Sequence, residues 1–167
     1  MNPANNASDD TQSIVDVQWA LEEPPSADLP SEVQIHRWVD VVLKELKPRA
    51  ELTVRIVEPD EITELNTQYR HKNAPTNVLS FPVDADLPLD IPLLGDLVIC
   101  AEIVRREAQE QHKTLQAHWA HMLVHGTLHL LGYDHIEDDE AAIMEQKEIA
   151  YLHRLGFSNP YEVNTHS

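Results

Sequence analysis

The stretch HMLVHGTLHLLGYDH, residues 121–135, carries the strongest structural and chemical signal in this sequence. His125 and His129 are four residues apart, so a helix places both imidazoles on one face, one turn apart. Gly132 suits the left-handed conformation that ends many helices, and His135 could then turn back towards the pair. Three histidines at this spacing are typical of a zinc site with an open fourth position for water.

The spacing H-x-x-x-H-x-x-G-x-x-H is that of the metzincin proteases, but the glutamate that follows their first histidine is missing. Gly126 stands at that position. Because this glutamate is the general base of the proteases, its absence argues against ordinary peptide hydrolysis. An atypical metalloprotease is therefore the weakest of the functional alternatives.

A second ligand set is compatible with the sequence, because His118 and His121 share a helix face with His125. Ligation by His121, His125 and His129 would place three ligands along two turns of one helix, where they converge poorly on one tetrahedral ion. We therefore interpret His121 as a residue that supports the ligands rather than as a ligand.

Three blocks of sequence resemble, in the same order, the recurring motifs of the YbeY family of bacterial endoribonucleases. They are YRHKNAPTNVLSFP at residues 69–82, LGDLVIC at residues 94–100 and HGTLHLLGYDH at residues 125–135. The resemblance extends over about residues 50–161 and is poor in the first thirty residues. It implies an endoribonuclease specific for single strands, which acts in ribosomal RNA maturation at the 3′ end of 16S rRNA and in ribosome quality control.

The residues and the resemblance together predict the site. We expect His125, His129 and His135 to hold one Zn²⁺ ion, which would lower the pKa of a bound water to about 7. His125 and Arg70 are the expected catalytic residues. The proton acceptor stays open between Asp134 and a phosphate oxygen.

Arg70 is also the expected substrate-binding residue. A guanidinium group can hold a phosphate through two parallel hydrogen bonds, and we expect Arg70 to lie in a loop between regular elements. The alternative is a surface ion pair with Glu64 or another nearby acid. The resemblance favours the phosphate-binding role.

The charge of the chain is unfavourable for an enzyme that binds RNA. Twelve Lys and Arg against 29 Asp and Glu give a net charge of −17, whereas phosphate binding usually needs a basic face. Residues 31–72 nevertheless hold seven of the twelve basic residues. The negative charge and the missing base favour the main alternative, a non-catalytic ribosome-assembly factor with a structural zinc site.

Several features predict a cytoplasmic protein that does not bind a membrane. The chain has no apolar run long enough for a membrane span, and no N-terminal signal pattern. Its one cysteine, Cys100, excludes an internal disulfide framework and is expected to be buried. The resemblance implies ribosomal RNA and ribosomal particles as partners, with a ribosomal protein or a GTPase as further candidates.

The hydrophobic patterns predict an α+β single domain, a small mixed sheet of about four strands packed with about five helices. Ser31 and Gln34 form a capping-box signal for the first helix, and Asp138 is the expected N-cap of the last, behind Ile136. We expect strands near residues 15–22, 52–57, 78–83 and 96–100, and helices near 32–46, 59–68, 101–112, 115–131 and 138–155. The domain spans residues 12–161, between a disordered N-terminal tail at 1–11 and a tail at 162–167.

Overall fold

A computed structural model of the chain describes residues 13–22, 28–83, 93–133 and 137–162. The described residues form four strands and five helices, which confirms the predicted α+β class. The strands are β1 Ile14–Ala20, β2 Glu51–Val57, β3 Val78–Pro82 and β4 Leu93–Cys100. The helices are α1 Glu32–Leu46, α2 Pro59–Arg70, α3 Ala101–Glu110, α4 Leu115–Leu130 and α5 Asp138–Arg154. The expectations for residues 1–11 and for Ile136 lie outside the described residues.

The four strands form one mixed sheet in the order β1-β2-β4-β3. Strand β2 pairs in parallel with both β1 and β4, whereas β3 pairs antiparallel with β4. Because β3 lies at one edge beside β4, the polar segment that precedes β3 is brought to the same side of the molecule as α4. This order could not be deduced from the sequence.

Helix α4 is the centre of the domain. It packs against α1, α3 and α5 and against strands β3 and β4. Eleven of its sixteen residues are buried, as its nearly continuous apolar sequence predicts. The N-terminus is capped by Thr114, whose Oγ1 accepts a hydrogen bond from the backbone N–H of Ala117 at 3.1 Å. Helix α4 is therefore a rigid support for the histidines that it carries.

Local signals predicted some element ends and not others. The capping box of α1 is present, because Ser31 Oγ accepts from the Gln34 N–H at 3.1 Å and Gln34 Oε1 accepts from the Ser31 N–H at 2.9 Å. Gly132, after α4, has the predicted positive φ, at 101°. The N-cap prediction for α5 was wrong: Glu137 is the cap, and its side chain makes no capping hydrogen bond to the described helix residues.

Two further observations complete the fold. Cys100 is buried, as predicted, and burial raises the pKa of its thiol. None of the described helices combines the length and the apolar character needed to cross a membrane.

Candidate active site

Two of the three predicted metal ligands lie together on one wall of a cleft. His125 and His129 project from α4, are half-buried, and have ring centroids 5.2 Å apart. The cleft has a volume of about 600 Å³ and is also lined by β3, by the residues just before it and by the end of α2. The third predicted ligand, His135, lies outside the described residues, as does Asp134.

A buried carboxylate lies behind His125. Glu148, on α5, is only 1% exposed, and its Oε2 lies 2.8 Å from Nδ1 of His125. Its other oxygen, Oε1, lies 2.8 Å from Nε2 of His121. Because an ionised carboxylate can only accept hydrogen bonds, both imidazole nitrogens donate to it. This arrangement fixes the orientation of the His125 ring and directs Nε2 away from Glu148.

Glu148 remains ionised although it is buried. Burial acts to raise the pKa of this carboxyl, but the hydrogen bonds from His121 and His125 outweigh it and lower the pKa to about 2. A third donor, the hydroxyl of Tyr161, also bonds to Oε1. The ring of Tyr161 packs against that of His121 at 5.3 Å between centroids, with the planes at 85°. The segment after α5 therefore closes over the buried carboxylate.

His121 has a role different from that of a ligand facing the cleft. Its Nε2 donates to Glu148, and its Nδ1 is buried without a hydrogen-bond partner among the described residues. Burial lowers its pKa below the usual value, although the bond to Glu148 acts in the opposite direction. His121 is therefore neutral near pH 7 and lies behind His125.

A second polar network holds the start of β3, which also lines the cleft. Asn77, which lines the cleft, donates through Nδ2 to both carboxylate oxygens of Glu107, at 3.0 and 3.3 Å. Its Oδ1 accepts from the N–H of Val78 at 2.6 Å. Glu107 also contacts Nε2 of His118 at 2.9 Å. The start of β3 is thereby joined to α3 and α4.

Arg70 lines the same cleft as His125 and His129. It is the last residue of α2 rather than part of a loop, which corrects the expectation from sequence. The side chain is exposed, and no carboxylate among the described residues pairs with it; the ion pair with Glu64 is thus not formed there. By contrast, Arg55 is held in a two-point ion pair with Glu61 at 2.6 and 3.0 Å.

Gly126, which stands where the metzincin proteases have their glutamate, faces the sheet. A Cβ atom on Gly126 would lie 2.8 Å from Cδ2 of Leu97 on β4 and 3.3 Å from Cγ2 of Val78 on β3. Ser80 Oγ also donates to the Gly126 carbonyl at 3.2 Å. A side chain at position 126 would have to displace the tip of Leu97 and press on Val78, so it would point into the contact between α4 and the sheet.

The donor set fits a metal ion that prefers imidazole. Two histidines one helical turn apart would supply two ligands, and the carboxylate behind His125 fixes its tautomer as in many metal-bound histidines. Within the described ranges, no three His, Cys, Asp or Glu residues are grouped closely enough to hold a metal by themselves. The predicted third ligand belongs to the segment 134–136, outside those ranges.

The supporting residues Glu148 and Tyr161 were missed in the sequence. A signal was available for Glu148, because it occupies the same helix face as the apolar residues Met144, Tyr151 and Leu152, all of which are buried. A carboxylate on such a face needs a buried partner. Tyr161 carries no comparable signal, since it lies beyond the last helix.

Comparison with known proteins identifies the family of the chain. The model of a family described as Endoribonuclease YbeY matches residues 25–156, a range that includes Arg70, His125 and His129. The solution structure of TM1509 from Thermotoga maritima is similar to this chain, with a TM-score of 0.58 and 27% sequence identity. The similarity covers 92% of this chain and 99% of that chain. Since the family match spans most of the sequence, the chain belongs to the YbeY endoribonuclease family.

Proposed function

We propose that the protein is a zinc-dependent endoribonuclease specific for single-stranded RNA, which acts in maturation of the 16S rRNA 3′ end and in ribosome quality control. Family membership supports the coarser statement, an endoribonuclease acting in ribosomal RNA processing. The observation that carries the proposal is the shared cleft, in which Arg70, whose guanidinium group is able to hold a phosphate, lines the same cavity as the two histidines.

His125, His129 and His135 would hold the zinc ion. When bound, zinc supplies a Lewis acid that lowers the pKa of water to about 7. Glu148 holds the His125 ring in one tautomer and orientation. Arg70 binds the scissile phosphate and stabilises the negative charge that develops on its oxygens.

The proton acceptor is a separate part of the proposal. Gly126 faces the sheet, so it cannot fill the role of the protease glutamate. We propose Asp134 or a non-bridging oxygen of the substrate phosphate as acceptor. An Asp134→Asn variant distinguishes these two, because its cleavage rate falls only if the carboxylate accepts the proton.

The direct test is cleavage of a defined single-stranded RNA by purified protein before and after zinc removal by a chelator. We expect cleavage to stop on removal and to return when Zn²⁺ is added. A double-stranded RNA of the same sequence serves as the substrate control. Cleavage that survives complete zinc removal would contradict the metal-dependent mechanism.

Matched histidine variants test the ligand assignment by metal content. His129→Ala should lose most of the bound zinc, because it removes a proposed ligand. His121→Ala should retain zinc, because the Nε2 of His121 contacts Glu148. Elemental analysis of both proteins measures the difference, and equal zinc content in His129→Ala and wild type would contradict the assignment.

Arginine variants test the phosphate-binding role. Arg70→Ala should retain zinc and fold but lose cleavage, and Arg70→Lys should recover only part of it, since an ammonium cannot form the two-point contact. Arg105→Ala, which removes an exposed cation on α3, is the control and should cleave like wild type. Unchanged cleavage by Arg70→Ala would make Arg70 a surface charge only.

A second candidate function is a non-catalytic ribosome-assembly factor with structural zinc. The net charge of −17 favours it, because it opposes binding of a polyanion. A structural site would be closed by four protein ligands and would show no metal-dependent cleavage. The coordination number of bound zinc therefore separates the two functions.

A further inference from the structure

Tyr69 is an exposed aromatic residue on the rim of the cleft. It is 58% exposed and precedes Arg70 in the last turn of α2. Its ring is held by an edge contact with Phe81 of β3, with centroids 5.2 Å apart and planes at 68°. More than half of the residue nevertheless faces solvent, so ring surface is available to a ligand.

The same two aromatic residues also border a second cavity. This cavity, of about 430 Å³, lies on the sheet surface beside α2, and Tyr69 and Phe81 line both it and the cleft. The pair therefore stands between the cleft that holds the histidines and the open part of the sheet. A linear polymer that leaves the cleft on this side has to pass Tyr69.

The charged side chains of the second cavity do not favour binding of a phosphate backbone. Its guanidinium, that of Arg55, is paired at two points with Glu61, and Asp96 adds a further carboxylate. The whole chain carries a net charge of −17, so long-range attraction of RNA is weak as well. Affinity for RNA on this side must come from contacts that do not depend on charge.

Base stacking is the contact that meets this requirement. Every nucleobase has an aromatic face, and stacking on tyrosine stabilises single-stranded complexes independently of sequence. It also requires an unpaired base, because the faces in a duplex are already stacked.

We propose that Tyr69 is a stacking platform for one unpaired nucleobase of the RNA strand, adjacent to the phosphate held by Arg70. The proposal rests on the proposed ribonuclease function and extends it by naming a base-binding subsite. Phe81 positions the ring of Tyr69, and Arg70, the next residue, places the neighbouring phosphate. Preference for single strands follows from this subsite.

The test is fluorescence anisotropy with a labelled single-stranded RNA of about 12 nucleotides, within the range of single-strand site sizes, and zinc is removed to prevent cleavage. Tyr69→Ala should weaken binding about 5- to 150-fold, the range for loss of one stacked base. Tyr69→Phe should bind within about twofold of wild type, since it retains the aromatic face. Tyr69→Leu, which is apolar without an aromatic face, should lose most of the affinity.

Two further measurements separate stacking from charge and from folding. The dependence of log Kd on log salt should be unchanged in Tyr69→Ala but shallower by about 0.7 in Arg70→Ala, which loses one phosphate contact. An abasic strand of the same length should bind wild type and Tyr69→Ala equally. If Tyr69→Ala weakened binding of the abasic strand as much as binding of the normal strand, the proposal would be overturned, because Tyr69 would then act through the fold.

The failure of this inference is distinguishable from failure of the proposed function. If wild type binds and cleaves RNA while Tyr69→Ala binds with wild-type affinity, the stacking platform is wrong and the ribonuclease stands. If wild type neither binds nor cleaves single-stranded RNA, both are wrong.

Discussion

Oε2 of Glu148 lies 2.8 Å from Nδ1 of His125, although 23 residues separate the two in sequence. This contact joins the last helix to one of the proposed metal ligands. The carboxylate is almost completely buried and also accepts from His121, so one side chain of α5 orients two histidines of α4. Metal binding and the stability of the domain should therefore both depend on this contact.

Replacement of Glu148 should weaken metal binding without removing a ligand. In Glu148→Gln the amide NH₂ would face an imidazole N–H, so one histidine must lose its bond or change tautomer. We expect zinc affinity to fall about 10- to 100-fold, as for other residues that support metal ligands. Competition with a chromophoric chelator measures the affinity. Glu145→Gln, an exposed position of the same helix, is the control and should bind zinc like wild type.

Loss of the Tyr161 hydroxyl should destabilise the domain modestly. Tyr161→Phe removes a donor to the buried Glu148 but keeps the ring on His121. A hydrogen bond to a charged group contributes about 1.5 to 3 kcal/mol, and partial exposure of Tyr161 places the loss near the lower end. Urea denaturation gives the free energy of unfolding. Tyr69→Phe, at an exposed tyrosine, is the control and should be as stable as wild type. Identical stability of Tyr161→Phe and wild type would show that the contact does not form in solution.

Restoring the protease glutamate should damage the fold rather than create a protease. In Gly126→Glu the new side chain would enter the contact between α4 and the sheet, where a Cβ alone comes within 2.8 Å of Leu97. Overpacking and burial of a carboxyl together should lower the free energy of unfolding by at least about 3 kcal/mol. Chemical denaturation and a peptide-cleavage assay are the measurements. A stable variant that hydrolyses peptides would contradict the orientation of position 126.

Acidification should destabilise the zinc-free protein. Burial lowers the pKa of His118 and of His121 below 6.5, so below that pH the unfolded chain binds protons that the folded chain does not. Each of these two histidines can lower the free energy of unfolding by up to about 1.4 kcal/mol per pH unit as the pH falls below 6.5. Glu148 has a pKa lowered to about 2, so it contributes a further loss of stability as the pH falls from about 4.5 towards 2.

Urea denaturation at pH 7, 6 and 5 measures this dependence. His118→Gln should show a flatter decline than wild type, whereas His153→Gln, at an exposed position of α5, should not. Equal stability of the wild-type protein at pH 7 and pH 5 would contradict the burial of neutral histidines.

Local sequence patterns were sufficient for much of the fold. The apolar character of α4, the capping box at Ser31 and the glycine at 132 are encoded within a few residues, and each has the predicted structure. The end of α2 was missed because the left-handed residue that terminates it is His71, with φ at 59°, rather than a glycine. The start of α5 lies in a run of four acids, in which no single residue carries a unique capping signal.

The site was only partly predictable, because its supporting contacts join distant parts of the chain. The placement of His125 and His129 follows from helical spacing alone. Glu148 meets His125 only through the packing of α5 on α4, and Asn77 meets Glu107 only through the position of β3 in the sheet. Strand order and helix packing are tertiary properties, which local patterns do not specify.

A catalytic zinc ion held by the histidines of the cleft would keep one coordination position open. Zinc-edge X-ray absorption of the zinc-loaded wild-type protein tests this claim most directly, because it counts the ligands and distinguishes imidazole from oxygen donors. We expect three imidazole nitrogens at about 2.0–2.1 Å and one oxygen that a small anion displaces. Four protein ligands, with a spectrum unaffected by added anion, would contradict the catalytic account and support the structural one.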